Sequence, residues 1–273
     1  RAADVLPART FSELTFTSPN TDSEIIMWAQ VANFHQEHGG MFYPLTIGSS
    51  EDIAHANLKE QWLAAFLFGV LAIIALYHIA IFLQRPADRA ALLFAGFCGS
   101  VAMRQAVMMR LPDHITPDWT FTSWIWSMRL EYISIPLMGI SAAFFVTSLL
   151  PATWFRRFSG VWAIWGLLLV VGVLLTEPHA FTTFLWMIQL HVLVGLLLVS
   201  VHIIQQTYSK VPLASWFLVS FGTLTVGAIN DILYSHDLIQ SGHITPYCFI
   251  CFVLVQSSII ARNFAAGLEE RNK

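Results

Sequence analysis

The chain has 273 residues, 56% of them hydrophobic and 11% charged, and its mean hydropathy is +0.63. These proportions exclude a water-soluble globular domain and define an integral membrane protein. The formal net charge of −3 offers no basic surface to nucleic acid, so the few Lys and Arg side chains inform on membrane orientation instead.

The sequence opens on Arg1 without a charged segment ahead of an apolar one, so no signal peptide is expected and the chain reads as a fragment or a processed product. Residues 1–57 hold three strand-like runs, FSELTFT, EIIMWAQVA and MFYPLTIG, with the turn NFHQEHGG between the last two. SSEDIAHANLKEQ follows, where Ser49 or Ser50 is placed to cap a short helix leading into the membrane. Two or three strands do not bury a core alone, so this segment is expected to be the end of a larger extracytoplasmic β domain.

Residues 58–266 form the membrane domain in this reading. Segments near 61–84, 88–108, 123–149, 158–176, 180–206, 213–235 and 244–265 each come close to or exceed the roughly 20 helical residues that cross a bilayer. Arg85 and Arg89 follow the first, Arg156 and Arg157 the third, Lys210 the fifth, and Arg262, Arg271 and Lys273 the seventh. The alternate loops LPDHITPD, EPH and SHDLIQSGH contain no Lys or Arg; the basic residue nearest them is Arg110, at the outer end of the second segment. Cytoplasmic loops retain basic residues, which places the N-terminus outside and the C-terminus inside. Trp62, Trp119, Trp124, Trp126 and Trp186 then fall near the outer interface. Residues 267–273 are expected to continue the last helix into the cytoplasm, with a polar, helix-favouring composition.

With depth assigned, Arg104, Arg129, Glu131, Asn230 and Asp231 all lie in the outer third of the membrane. An uncompensated charge there costs about 2.5–3.5 kcal/mol, so these groups are expected to face the bundle interior and find partners. In SMRLEYIS, Arg129 and Glu131 stand two positions apart and point about 200° away from each other, so they cannot pair on one helix. The expectation is that Glu131 reaches Arg104 and that Arg129 reaches Asp231, Asn230 or the facing carbonyls. Such a network serves as interhelical glue, or as a polar switch beneath the outer domain.

His78, His191 and His202 are read as core residues, since their spacing matches neither HxxxH nor HExxH. Cys98, Cys248 and Cys251 are read as small buried hydrophobes. Pro136 is a candidate kink, and Gly222 and Gly227 are candidate close-packing positions. His35 and His38 in the NFHQEHGG turn, with His236 and His243 in SHDLIQSGH, make up a candidate outer ligand region, against the plainer reading of exposed loop histidines. No metal site, catalytic residue or cofactor is assigned.

VANFHQEHGGMFYPLTIGSSEDI, followed by FLFGVLAIIALYHIAIFLQRPADRAALLFAGFCGSVAMR, then RLEY in the third segment and the closing ARNFAAGLEE, resembles the bacterial seven-transmembrane receptors with diverse intracellular signalling modules. The resemblance spans nearly all of the chain. It implies an all-α membrane protein, a seven-transmembrane-helix bundle, preceded by the C-terminal part of an extracytoplasmic jelly-roll-like β domain related to carbohydrate-binding modules. It further implies an inner-membrane location and a cytoplasmic histidine kinase or diguanylate cyclase module as output. The expected partners are an extracytoplasmic small molecule, with carbohydrate as one class, the lipid bilayer, the output domain, and a second copy of the chain in a homodimer.

Two other classes remain open at this stage. A transporter or channel would show polar or broken helices at the midplane and a repeat between halves, and neither is visible. A membrane-embedded metal hydrolase would need His78, His191 and His202 to converge from different depths. A retinal photoreceptor is disfavoured because Lys59, Lys210 and Lys273 all lie outside the helix cores.

Overall fold

In hydrocarbon a chain must pair its own N–H and C=O groups, and for runs rich in Leu, Ile, Val, Phe and Ala the helix is the local solution. The structure, a computed structural model, describes residues 47–87, 89–109, 111, 121–211, 213–235, 238–242 and 244–269. Its helices are α1 (Ser50–Gln84), α2 (Arg89–Met108), α3 (Phe121–Leu149), α4 (Thr153–Leu175), the short α5 (Pro178–Thr183), α6 (Leu185–Tyr208), α7 (Ala214–Ser235) and α8 (Thr245–Glu269). By length and composition α1, α2, α3, α4 and α6 can each cross a membrane, and α8 carries a shorter apolar run over Tyr247–Arg262. Among the described residues there is no strand. The expected strands before residue 47, His35, His38, Arg110, Trp119, His236, His243 and the tail from 270 onward lie outside the described residues.

Several boundaries differ from expectation for identifiable reasons. The capping helix and the first membrane segment are one 35-residue helix, because nothing between them breaks it. Ser49 is its N-cap, accepting from the Asp52 N–H at 3.1 Å, and Glu51 and Asp52 in the first turn suit the positive end of the helix dipole. Helix α4 begins at Thr153, after Pro151, so Arg156 and Arg157 sit exposed in its first two turns and not in a loop. The fifth segment is broken at Phe184 (φ −86°, ψ 12°) into α5, which starts with Pro178, and α6.

Helix α2 packs against α1 and α3, α3 also against α4 and α6, α6 against α7, and α7 against α8, which returns to α1 and α2. The bundle therefore closes as the ring α1–α2–α3–α6–α7–α8, with α4 outside it against α3 and α6. Aromatic rings fill the centre: Phe94 lies 4.9 Å from Phe145, and Phe97 stacks on Phe249 at 5.4 Å. A second, smaller core of Trp124, Met128, Tyr132, Phe181 and Ile188 sits at the end that carries α5. Trp124, expected at the interface, is only 3% exposed there, whereas Trp62, Trp126 and Trp186 do face outward.

Candidate functional site

Helix α3 brings SMRLEYIS to the α5 end of the bundle, where the last carbonyls of α4 have no intrahelical partner. Arg129 Nη2 donates to the Thr176 carbonyl at 3.2 Å, just past the end of α4. A guanidinium suits that position because a helix C-terminus carries partial negative charge. The same guanidinium stands 5.3 Å from the centre of the Trp126 ring, a cation–π distance. Its Nε is buried without a hydrogen-bond partner.

Arg104 on α2 donates through Nη1 to the Glu131 carbonyl at 3.4 Å, and Ser134 Oγ donates to the same oxygen at 2.6 Å. The α2–α3 link expected at Glu131 thus includes its backbone. Pro136 lies on α3 one turn further on, where its missing N–H removes a hydrogen bond from the helix.

Asn230 and Asp231, near the end of α7, do different work. Asp231 Oδ1 accepts from the Ile244 N–H at 2.8 Å and from the Thr245 N–H at 3.3 Å, so it caps α8 from the neighbouring helix. Asn230 Nδ2 donates to the Gly242 carbonyl at 2.8 Å and to Asp231 Oδ1 at 3.1 Å, and Ser241 Oγ donates to Asn230 Oδ1 at 2.6 Å. Gly242 turns the loop with φ +82°, a conformation that glycine adopts without penalty. One turn back, a Cβ on Gly227 would stand 3.0 Å from Cys248 Sγ and 3.1 Å from Thr245 Cα, so the missing side chain lets α7 and α8 approach closely. Gly222, the other candidate, has open space around it.

The expected reach of Arg129 to Asp231 or Asn230 is corrected by this geometry. Arg129 takes the other option, a facing carbonyl: α3 packs along α4, whose end lies beside Arg129, while α3 meets α7 at Phe145 and Phe217, near the opposite end of α3. Two of the charges meet a helix end of opposite partial charge: Arg129 the end of α4, Asp231 the start of α8. Thr176 and the Ile244–Thr245 amides were missed from sequence. The available signal was the Thr245–Pro246 helix start, which needs an acceptor for its free N–H groups.

The three membrane histidines lie fully buried in separate aromatic settings. His202 stacks on Phe155 at 4.0 Å with Nε2 2.8 Å from the Leu150 carbonyl; His191 stacks on Trp162 at 4.3 Å; His78 Nδ1 lies 2.9 Å from the Ile74 carbonyl, its ring edge-on to Phe94. The cysteines are free thiols: Cys98 is buried as expected, Cys248 half-buried, and Cys251 exposed, which corrects its placement in the core.

A bundle of long apolar helices, with charged side chains fastening helix ends on one side and a last helix running beyond its apolar stretch, defines a multi-pass membrane protein. The family model described as 7TM diverse intracellular signalling matches residues 60–263, well over half of the chain. The chain belongs to this family of membrane signalling receptors. No curated protein and no solved structure matches it.

Proposed function

We propose that the chain is the sensing and relay region of a bacterial inner-membrane receptor. Residues 1–57 are the end of an extracytoplasmic jelly-roll-like domain, residues 58–266 a seven-crossing bundle, and residues 267–273 the entry to a cytoplasmic output module of the histidine kinase or diguanylate cyclase type. The α5 end faces outward, the orientation that the basic residues at the opposite end favour. The ligand is an extracytoplasmic small molecule, with carbohydrate as one class, and a second copy of the chain is the natural partner of the exit helix.

One observation carries the reading: Asp231 holds the first amides of α8, and α8 then continues unbroken from Thr245 to Glu269. Its 25 residues make a rod of about 37 Å. A ligand that shifts the 238–244 loop therefore moves the capped end of the helix that leaves the membrane, and a helix displacement of 1–2 Å is a usual size for such a step. The aromatic filling of the ring favours relay over a transport path.

The test is the basal output of the full-length receptor. Asp231→Ala removes both oxygens from the α8 amides and is expected to shift basal output several-fold, with Asp231→Asn, which keeps one acceptor, falling between it and the wild type. An unchanged output from Asp231→Ala inserted at the wild-type level would sink the relay.

A further inference from the structure

At the end of the bundle opposite α5, the α6–α7 turn, the start of α7 and the last apolar turns of α8 line a groove of about 260 Å3. Leu213, Trp216, Leu254, Val255 and Ile259 supply its apolar lining, and Arg262 is the lining residue furthest along α8. Ligand pockets run from about 300 to 1,000 Å3, so this groove suits part of a flexible chain better than a whole solute. It opens sideways, since Trp216 and Leu254 are 55% and 56% exposed. Its back wall is fixed, because the buried Gln256 on α8 donates through Nε2 to Ser220 Oγ of α7 at 2.6 Å.

The turn beside it has an unusual backbone. Lys210 and Leu213, at φ 55° and 71°, are the non-glycine residues with positive φ among those described, and Leu213 lines the groove. Side chains rarely adopt that conformation, and it persists where the surroundings hold it. Lys210 and Arg262 are both exposed, and Arg262 makes no ion pair among the described residues. Tryptophan and arginine at this position match the level at which lipid headgroups begin.

An apolar groove open to the bilayer and ending in a cation complements an amphiphile with an apolar tail and an anionic head. We propose that this groove binds an anionic phospholipid, with its phosphate on Arg262 and an acyl chain between α7 and α8. The bound lipid braces the last membrane turns of the exit helix. The bracing, and the assignment to the cytoplasmic leaflet, rest on the receptor reading above; the binding does not.

Native mass spectrometry of the purified chain in detergent tests it, with phosphatidylglycerol, phosphatidylcholine of the same acyl chains, and glycerol phosphate as probes. The first phosphatidylglycerol is expected to bind about five- to tenfold more tightly than phosphatidylcholine, as one basic residue near a headgroup provides. Arg262→Gln, an exposed change that leaves the fold intact, should bring the two lipids level. Arg157→Gln, exposed on α4 away from the groove, should leave the preference unchanged. Leu254→Trp, which fills the mouth of the groove, should weaken both lipids. Equal binding of the two lipids by the wild type, a preference that survives Arg262→Gln, displacement of the lipid by glycerol phosphate, or a dimer that buries the groove and excludes lipid would each overturn the proposal. None of these results bears on the Asp231 cap, so the two ideas fail separately.

Discussion

Gly195 of α6 leaves the space that the Trp162 indole occupies, and a Cβ there would overlap the ring. The indole has little freedom to retreat, because it stacks on His191 and its Nε1 donates to the His191 carbonyl at 3.2 Å. Gly195→Ala is therefore expected to lower stability by about 1–3 kcal/mol through overpacking. Thermal unfolding in detergent would register it, and adding Trp162→Phe should recover part of the loss, because the smaller ring yields the space. A Gly195→Ala chain as stable as the wild type would mean that the indole moves aside freely. The charged residues follow a different logic: Arg129, Arg104 and Asp231 each find backbone groups, at a helix end for Arg129 and Asp231 and within α3 for Arg104, and these groups are present whatever side chains surround them.

Among the elements, α1 and α8 each join a membrane-compatible run to a segment of different character. The first turns of α1 carry Glu51, Asp52 and Lys59 and are exposed, and their start rests on the Ser49 cap. Ser49→Ala should destabilise only that first turn, by about 1 kcal/mol, which is about a fivefold faster hydrogen exchange at residues 51–54. The unfolding temperature should not move, because the apolar part of α1 packs on α2 independently of the cap. A global loss of stability from Ser49→Ala would show that the first turns are docked on something more. At α8 the cap comes from another helix, so the same chemistry couples two elements there and only steadies one at α1.

For the whole molecule, ring closure by α8 against α1 and α2 places the first and last helices side by side. Orientation can be read in intact cells. With Cys98, Cys248 and Cys251 replaced by alanine, a cysteine at the exposed Glu177 is expected to react with an impermeant maleimide, and one at the exposed Ala87 only after permeabilisation. The reverse pattern would invert the receptor. The exposed leucines and valines of α4, among them Leu167, Leu168 and Val171, are the surface that lipid covers in this arrangement.

Composition alone determined that this is a membrane protein, and hydrophobic run length located its long helices, because the thickness of a bilayer imposes a length that can be counted along a sequence. The intramembrane polar residues were legible for the same reason: a charge in an apolar run stands out. Their partners were not. Arg129 and Asp231 satisfy themselves on the ends of α4 and α8, and which helix end lies near which side chain depends on the order of helices around the ring. The junction of the capping turns with α1, the break at Phe184 and the groove beneath Arg262 likewise depend on how helices continue and pack. Periodicity and hydropathy describe a helix by itself, and the contacts that hold this bundle together exist only between helices.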